Sequence, residues 1–329
     1  MPTRDQLRKA VVRIVFGAPD LHQQCAVGLP DPQTEIGVWF NGTGVRQDVT
    51  YSHVMAAAQP LTLGVGLGPG CDSVAIRKGS SSLEFRERNG DKRLLGRINL
   101  QWHDEVPLGE ECLQLFRVRS CRNYCLPRGR IWAHYSYYAY RRWRERKRQA
   151  APGLRMVVRE LHSVFVFYIC PRPVVLVSVC EGNLANIFPM DLIGQVDPTH
   201  FALALHNSSM AVPLLERSGH IALSSIPVEQ APLAYALGKN HKRTTVNWAE
   251  IPLATTLSTR FAIPVPQFAL RVREMQIESV RPLGSHNLYL AKSVLDAHWA
   301  EGMQMFLVHG IYQARRLQRQ DHGNYMRRG

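Results

Sequence analysis

The chain has 329 residues, 45% of them hydrophobic and 20% charged; this ordinary globular composition excludes a wholly disordered chain and leaves ample material for a core. Forty Lys and Arg against 26 Asp and Glu give a formal net charge of +14, which raises anionic partners: nucleic acid, an acidic membrane face or a phosphate-bearing cofactor. The excess is localised, because residues 128–148 hold eight basic side chains and one acid, and residues 315–329 hold five and one. The rest of the chain is nearly neutral, which disfavours a broad nucleic-acid face.

Residues 10–125 read as strands. Val11–Phe16 and Glu35–Phe40 are β-branched and aromatic, and Leu61–Leu67 alternates large and small residues. Leu94–Trp102 and Leu113–Val118 are further strands, and Asn41-Gly42, Asn89-Gly90 and Pro69-Gly70 are turn dipeptides. The glycines at 64, 66, 68 and 70 lack dinucleotide spacing, since Pro69 stands where the third glycine belongs, and fit a tight turn after a strand. Residues 131–150, with four tyrosines running into Arg141–Arg148, predict a basic helix ended by Ala150–Gly153. Three segments follow: a β-rich domain at 1–130, a basic helix and linker at 131–153, and a second domain at 154–329.

In the second domain, strands are expected at Ser163–Ile169, Val174–Cys180, Phe201–His206, His220–Ser225, Phe268–Ile277 and Leu288–Ala291. Helices are expected at Ala211–Ser218, Val228–Leu237 and Ala297–Arg319, the last from the stripe Met303, Phe306, Leu307 and Ile311. Pro171-Arg172-Pro173 interrupts the most apolar region, so Ser163–Cys180 reads as two buried strands and not as a membrane span. Two features recur in order: Pro107-Leu108-Gly109 with Leu113 and Leu115 matches Pro282-Leu283-Gly284 with Leu288 and Leu290, and Pro60 before one alternating strand matches Pro198 before another. Duplication and chance likeness between β segments both account for this.

Seven cysteines, an odd count in a chain too large to need disulfide staples, fit a reducing compartment. Residues 1–20 lack a secretory pattern, and a cytoplasmic protein without membrane contact is expected. Walker, H-E-x-x-H and G-x-S-x-G motifs are missing, and Cys121-x-x-x-Cys125 has no second ligand pair, so no metal site is expected.

The chemistry-bearing stretch is 171–293. The strand Val174–Val179 leads into the loop Glu181–Asp191, with Asn183 and Asp191 eight apart. A second strand ends in the polar cluster Asn207-Ser208-Ser209. Then come Ile221-Ala222-Leu223-Ser224-Ser225-Ile226-Pro227 and the hairpin Gly284-Ser285-His286-Asn287-Leu288-Tyr289-Leu290-Ala291. In order and residue type this resembles the flavin reductase-like family over roughly 120–150 residues of the C-terminal half.

The resemblance implies an α+β, mainly β fold, an FMN-binding split β-barrel, with the N-terminal half as a degenerate second copy. It implies an oxidoreductase that takes hydride from NADH or NADPH onto FMN, with FAD as the other flavin, and supplies a partner oxygenase. Short members pair two subunits around their flavins, which implies either a homo-oligomer, a dimer, or a duplicated chain that mimics the pair internally. His286 would position the donor or supply a proton. Asn183, Asn186 and Asp191 would meet the flavin ring edge. Asn207, Ser208, Ser209, Lys239 and Ser285 would serve the cofactor, its phosphate above all, although Ser209 suits an ordinary helix N-cap equally well. Lys239, Lys242 and Arg243 form a basic loop, which reads equally as a solvated one. Two other readings stand beside this one. The first is an FMN enzyme acting on a specialised organic substrate, with Phe188-Pro189-Met190 adding bulk at the flavin edge. The second is a nucleic-acid-binding protein using Arg141–Arg148 and Trp143.

Overall fold

The structure is a computed structural model that describes residues 12–17, 21–68, 73–108, 111–148 and 156–326. Two seven-stranded antiparallel sheets dominate it. The first holds β2 (Ile36–Gly42), β3 (Val45–Asp48), β4 (His53–Ala58), β5 (Leu61–Leu67), β6 (Ser81–Glu87), β7 (Leu94–Leu108) and β8 (Glu111–Asn123). The second holds β10 (Val175–Glu181), β11 (Leu184–Met190), β12 (Ile193–Gln195), β13 (His200–His206), β14 (His220–Ser225), β17 (Arg271–Leu283) and β18 (His286–His298). The spatial orders are β3-β2-β6-β7-β8-β5-β4 and β11-β10-β14-β17-β18-β13-β12. Strand for strand these are the same topology, and a short helix follows the fourth strand of each sheet, Ser73–Lys78 in one and Val212–Ser218 in the other. The recurring Pro-Leu pairs, Pro107-Leu108 and Pro282-Leu283, end β7 and β17, and Pro60 and Pro198 lie between β4 and β5 and between β12 and β13. Both repeats seen in the sequence therefore fall at equivalent places.

A third sheet ties the halves together. Its central strand β19 (Gln304–His309) pairs with β1 (Gln24–Leu29) on one side and β9 (Arg172–Pro173) on the other. A small ribbon joins β15 (Thr255–Leu257) to β16 (Pro264–Pro266). The two large sheets meet through β4, which packs on β12, β13 and β18. One apolar cluster spans the junction, with Val54, Ala56, Ala57 and Leu113 from one half and Val196, Ala202, Ala204 and Leu288 from the other. Backbone bonds cross it from Gln195 N to Tyr51 O (3.0 Å) and from Ser285 N to Gln59 O (2.8 Å).

Close approach accounts for the glycines. Gly64 and Gly66 lie inside β5 and not in a turn after it; the expected turn dipeptide Pro69-Gly70 lies outside the described residues. A Cβ on Gly66 would overlap the carbonyl oxygen of Val196. Gly284 has φ +59°, and a Cβ there would overlap the oxygen of Gln59.

Several expected elements change type. Residues 12–16 are helical and not a strand. Ser163–Ile169 falls mostly in the helix Val158–Phe167, whose Leu161, Phe165, Val166 and Phe167 are all buried. A short apolar run looks the same in a buried helix and a buried strand. The segment expected as one helix over 297–319 is the end of β18, then β19, then the helix Gly310–Met326. All six residues of β19 are buried, so it shows no alternation to mark it as a strand. The strand expected at 268–277 is β17, displaced to 271–283. The basic helix spans Arg128–Arg148, and its expected terminator at 150–153, with the domain boundary, lies outside the described residues. Its Ile131, His134 and Tyr138 are buried, while Trp132, Tyr140 and Trp143 are exposed. Among the described residues no helix is long and apolar enough to cross a membrane.

Candidate functional site

A cavity of about 280 Å³ opens at one end of the second sheet. Its floor is the end of β13 beside the start of β18, where His206 pairs directly with His286. One wall is Pro189–Leu192, the end of β11 and the two residues after it. The other is His241 and Lys242 of the loop Gly238–Lys242, with Ser208 and Ser209 beside them.

His286 is 4% exposed, and its ring stands edge-on to that of His206 at 5.1 Å. Burial, and then the neighbouring His206, push its pKa down to about 4. Its Nδ1 receives the backbone N–H of Ala58 at 3.3 Å and lies 2.8 Å from Ser285 Oγ. Ser285 Oγ already accepts from Gln59 N at 2.9 Å, so its own proton points to Nδ1. This network assigns the neutral tautomer with the proton on Nε2. At neutral pH His286 is thus a hydrogen-bond donor and no reservoir of positive charge. Ser285 and the first half, through Ala58 and Gln59, hold the ring in place.

The low pKa makes a stability prediction. An unfolded histidine protonates near 6.5, the folded one near 4, so the unfolded chain binds more protons between these values. His286 therefore contributes stability that is full above pH 6.5 and is lost as pH falls to 4, about 3 kcal/mol across the window. His53, pushed down to about 3 by burial and by Arg172, acts in the same direction. Urea unfolding at pH 7 and pH 4.5 is expected to show the loss, and His286→Asn to lose less. Equal losses in the two proteins would contradict it.

The other residues singled out in the sequence divide into two groups. Ser208, Ser209 and Asp191 line the cavity with His286. Ser208 Oγ lies 2.7 Å from His206 Nδ1. Ser209 Oγ turns toward His241, 3.3 Å from its carbonyl oxygen, and does not cap the following helix, whose N-cap position is Ala211. That helix has only seven residues, so the polar groups at this end of the cavity are the two hydroxyls and Lys242, and not a helix terminus. Asp191 is held by the Tyr168 hydroxyl at 2.5 Å, and burial raises its pKa against that bond and the attraction of Arg172.

The second group supports the cavity without lining it. Asn186 is fully buried, and its Nδ2 donates to Arg243 O at 2.8 Å and Asn240 O at 3.3 Å, which pins the basic loop. Asn240 returns a bond to Ile187 O at 2.8 Å. Asn207 donates from Nδ2 to Gly284 O at 2.7 Å and so fixes the turn before His286. Ser285 acts through His286, as above. Asn183 sits exposed in the β10–β11 turn and Lys239 is exposed on the loop; neither lines the cavity. His206 and His241 complete the cavity and were not singled out. His206 gains meaning only from its cross-strand partner, and His241 only from the Asn186 bonds that fold its loop back. Its Nε2 donates to Pro189 O at 2.9 Å, and its ring leans on Phe188.

Residues 167–318 match the model of a family described as a flavin reductase like domain. The C-terminal half is a flavin reductase-like domain. The cavity, β9 and all seven strands of the second sheet lie within it, and the protein is an enzyme of the oxidoreductase kind built on a mainly β, split-barrel α+β fold. No curated protein matches the chain. Solved structures similar to it include an FMN-binding protein from Thermus thermophilus with bound p-hydroxybenzaldehyde, at 21% identity over 46% of this chain and 80% of that one, with a TM-score of 0.37. Another is the C-1027 NADH:FAD oxidoreductase of Streptomyces globisporus, at 18% identity over 48% and 95%, with a TM-score of 0.42. A third is the styrene monooxygenase flavin reductase of Pseudomonas putida S12, at 17% over 44% and 91%, with a TM-score of 0.37.

Proposed function

We propose that the protein is an NAD(P)H:flavin oxidoreductase that binds FMN in the cavity between Pro189–Leu192 and the His206–His286 pair, and that it supplies reduced flavin to a partner oxygenase. The observation that carries this reading is the donor set of that cavity inside the flavin reductase-like domain. Two serine hydroxyls, the Lys242 ammonium and three imidazoles surround it, and its single carboxylate, Asp191, is turned to Tyr168. Such a set suits the phosphate end of FMN. Ser208, Ser209 and Lys242 would hold the phosphate, while Pro189–Asp191 would lie along the ring edge. A second, smaller hollow lined by Met190, Asp191, Tyr235 and Met305 continues from the same wall.

Bound FMN would supply the hydride-accepting ring and pass electrons on to a second acceptor. This chain's residues do the rest. His286 presents Nε2–H to whatever occupies the cavity, and Ser285, Ala58 and Gln59 keep that donor oriented. Asn186 keeps Lys242 and His241 over the opening. Asn186→Ala removes the bonds that pin the loop, and is expected to weaken FMN binding about tenfold and lower stability by about 1–3 kcal/mol. Fluorescence titration and urea unfolding would measure both, and unchanged FMN affinity would remove the loop from the site.

The reading is tested by the absorption spectrum of the purified protein with FMN, followed by NADH and by NADPH. Flavin bands that bleach with one nicotinamide support it and name the donor. Bound flavin that does not bleach favours an enzyme acting on an organic substrate. Absence of flavin binding overturns it.

A further inference from the structure

A different cavity, of about 290 Å³, lies where the two halves meet. It is separated from the flavin cavity by the chain itself: Asp191 and Leu192 face the one, while Ile193, Gly194 and Gln195 line the other. Its deepest charged group is Arg172, 3% exposed. One Nη of that guanidinium faces His53 Nε2 at 3.3 Å, the other donates to Ile193 O, and the plane lies 5.1 Å over the Phe167 ring. His53 donates from Nδ1 to Val49 O at 2.7 Å, and its depressed pKa keeps it neutral, so it accepts from Arg172 without compensating its charge.

Among the described residues no carboxylate forms an ion pair with Arg172; the acidic groups that act on it are the Cys170 thiol and the Tyr168 phenol, both kept neutral by burial, and then Asp191, which is committed to Tyr168. Arg172 Nε is buried without a hydrogen-bond partner. A second unpartnered atom belongs to a residue of the same lining, the buried Oε1 of Gln304, which is 2% exposed. A buried cation without a counter-charge and a buried acceptor without a donor are each costly. Both costs fall on one cavity. At its mouth Arg271 and Arg273 are satisfied by Asp296 and Asp31, a balanced set that adds no net charge. The remaining walls combine the polar residues Gln33, Thr50, Tyr51 and Gln195 with an apolar side that includes Val175, Phe201 and Phe306.

We propose that this cavity is a binding site for a small organic monocarboxylate with an apolar body and one hydrogen-bond donor. The carboxylate would meet Arg172, the body would lie against Phe201 and Phe306, and the donor would reach Gln304 Oε1. The volume suits a molecule of about one ring and excludes a whole dinucleotide. The site does not depend on the flavin reading, because its lining shares no residue with the flavin cavity.

Isothermal titration calorimetry on the full chain tests it, with benzoate, cyclohexanecarboxylate, 4-hydroxybenzoate and the neutral benzamide as probes, each with and without FMN. Carboxylates are expected to bind, 4-hydroxybenzoate most tightly, with benzamide at least tenfold weaker and affinity unchanged by FMN. Arg172→Met should weaken carboxylate binding about 10- to 100-fold. Should that variant not fold, Gln304→Leu carries the test, because it should abolish the preference for 4-hydroxybenzoate over benzoate. Benzamide binding as well as benzoate overturns charge recognition by Arg172. Absence of binding by all three carboxylates overturns the site. Competition by FMN would show that the two cavities are one site and overturn the proposal in that way, leaving the flavin reading intact.

Discussion

Gly66→Ala is expected to be among the most destabilising single-methyl changes in the chain. The new Cβ would overlap Val196 O and lie 3.1 Å from its Cα and carbonyl carbon, which are backbone atoms of the other half and cannot rotate away. Relief requires the two sheets to separate locally, and overpacking of this kind costs about 1–3 kcal/mol. A glycine of the other half, Gly194 in β12, behaves alike, since a Cβ there would lie 2.7 Å from His53 O. Gly129→Ala is the control, because nothing lies within 4 Å of its Cβ position in the helix Arg128–Arg148. Urea unfolding should show a clear loss for Gly66→Ala and little change or a slight gain for Gly129→Ala. Equal stability of the two variants would mean that β5 and the segment after β12 do not approach this closely. Because Ala58 and Gln59 reach His286 and Ser285 across the same junction, Gly66→Ala should also lower activity.

The paired glycines also show what sequence pattern can and cannot reveal. Leu63-Gly64-Val65-Gly66-Leu67 and Phe201-Ala202-Leu203-Ala204-Leu205 announce strands by their period of two, and the small residues on one side read as a face. That this face meets the other half, and not a turn, is a tertiary fact. The Pro-Leu-Gly triplets located two equivalent hairpins because a turn needs particular residues wherever it occurs. Periodicity failed where burial runs on without a break: the end of the helix Val158–Phe167 leads straight into buried residues through Cys170, and all six residues of β19 are buried, which erases the period that would tell helix from strand. The site was legible in the same partial way. Ser208, Ser209, Asp191 and His286 carry their chemistry on the surface of the sequence. Asn186 has the composition of a ligand and is a brace, because a buried amide satisfies three loop carbonyls as readily as it meets a cofactor. His206 and Arg172 depend on partners far away in the chain, such as His286 and His53, and no local pattern marks them.

His286→Ala is expected to lower NAD(P)H-driven flavin reduction by about a hundredfold, the scale of losing a positioned hydrogen-bonding or proton-transferring group, while FMN affinity falls far less. The split follows from the proposed binding mode: Ser208, Ser209 and Lys242 would hold the anionic end, whereas His286 would offer a single oriented N–H. The pH profile separates this role from that of a charged histidine. A group with pKa about 4 does not titrate between pH 6 and 8, so the wild-type rate should show no step there from His286. Ser285→Ala leaves the imidazole but removes the hydroxyl that selects its tautomer. It should give an intermediate loss in kcat with little change in KM and partial retention of stability. A step near pH 6.5 in the wild type that disappears in His286→Ala would show a solvated, protonatable ring. A Ser285→Ala enzyme as fast as the wild type would show that the tautomer is set without the hydroxyl. In that case Ala58 N–H alone would have to orient the ring, and the tie between the two halves at this site would be a backbone contact only.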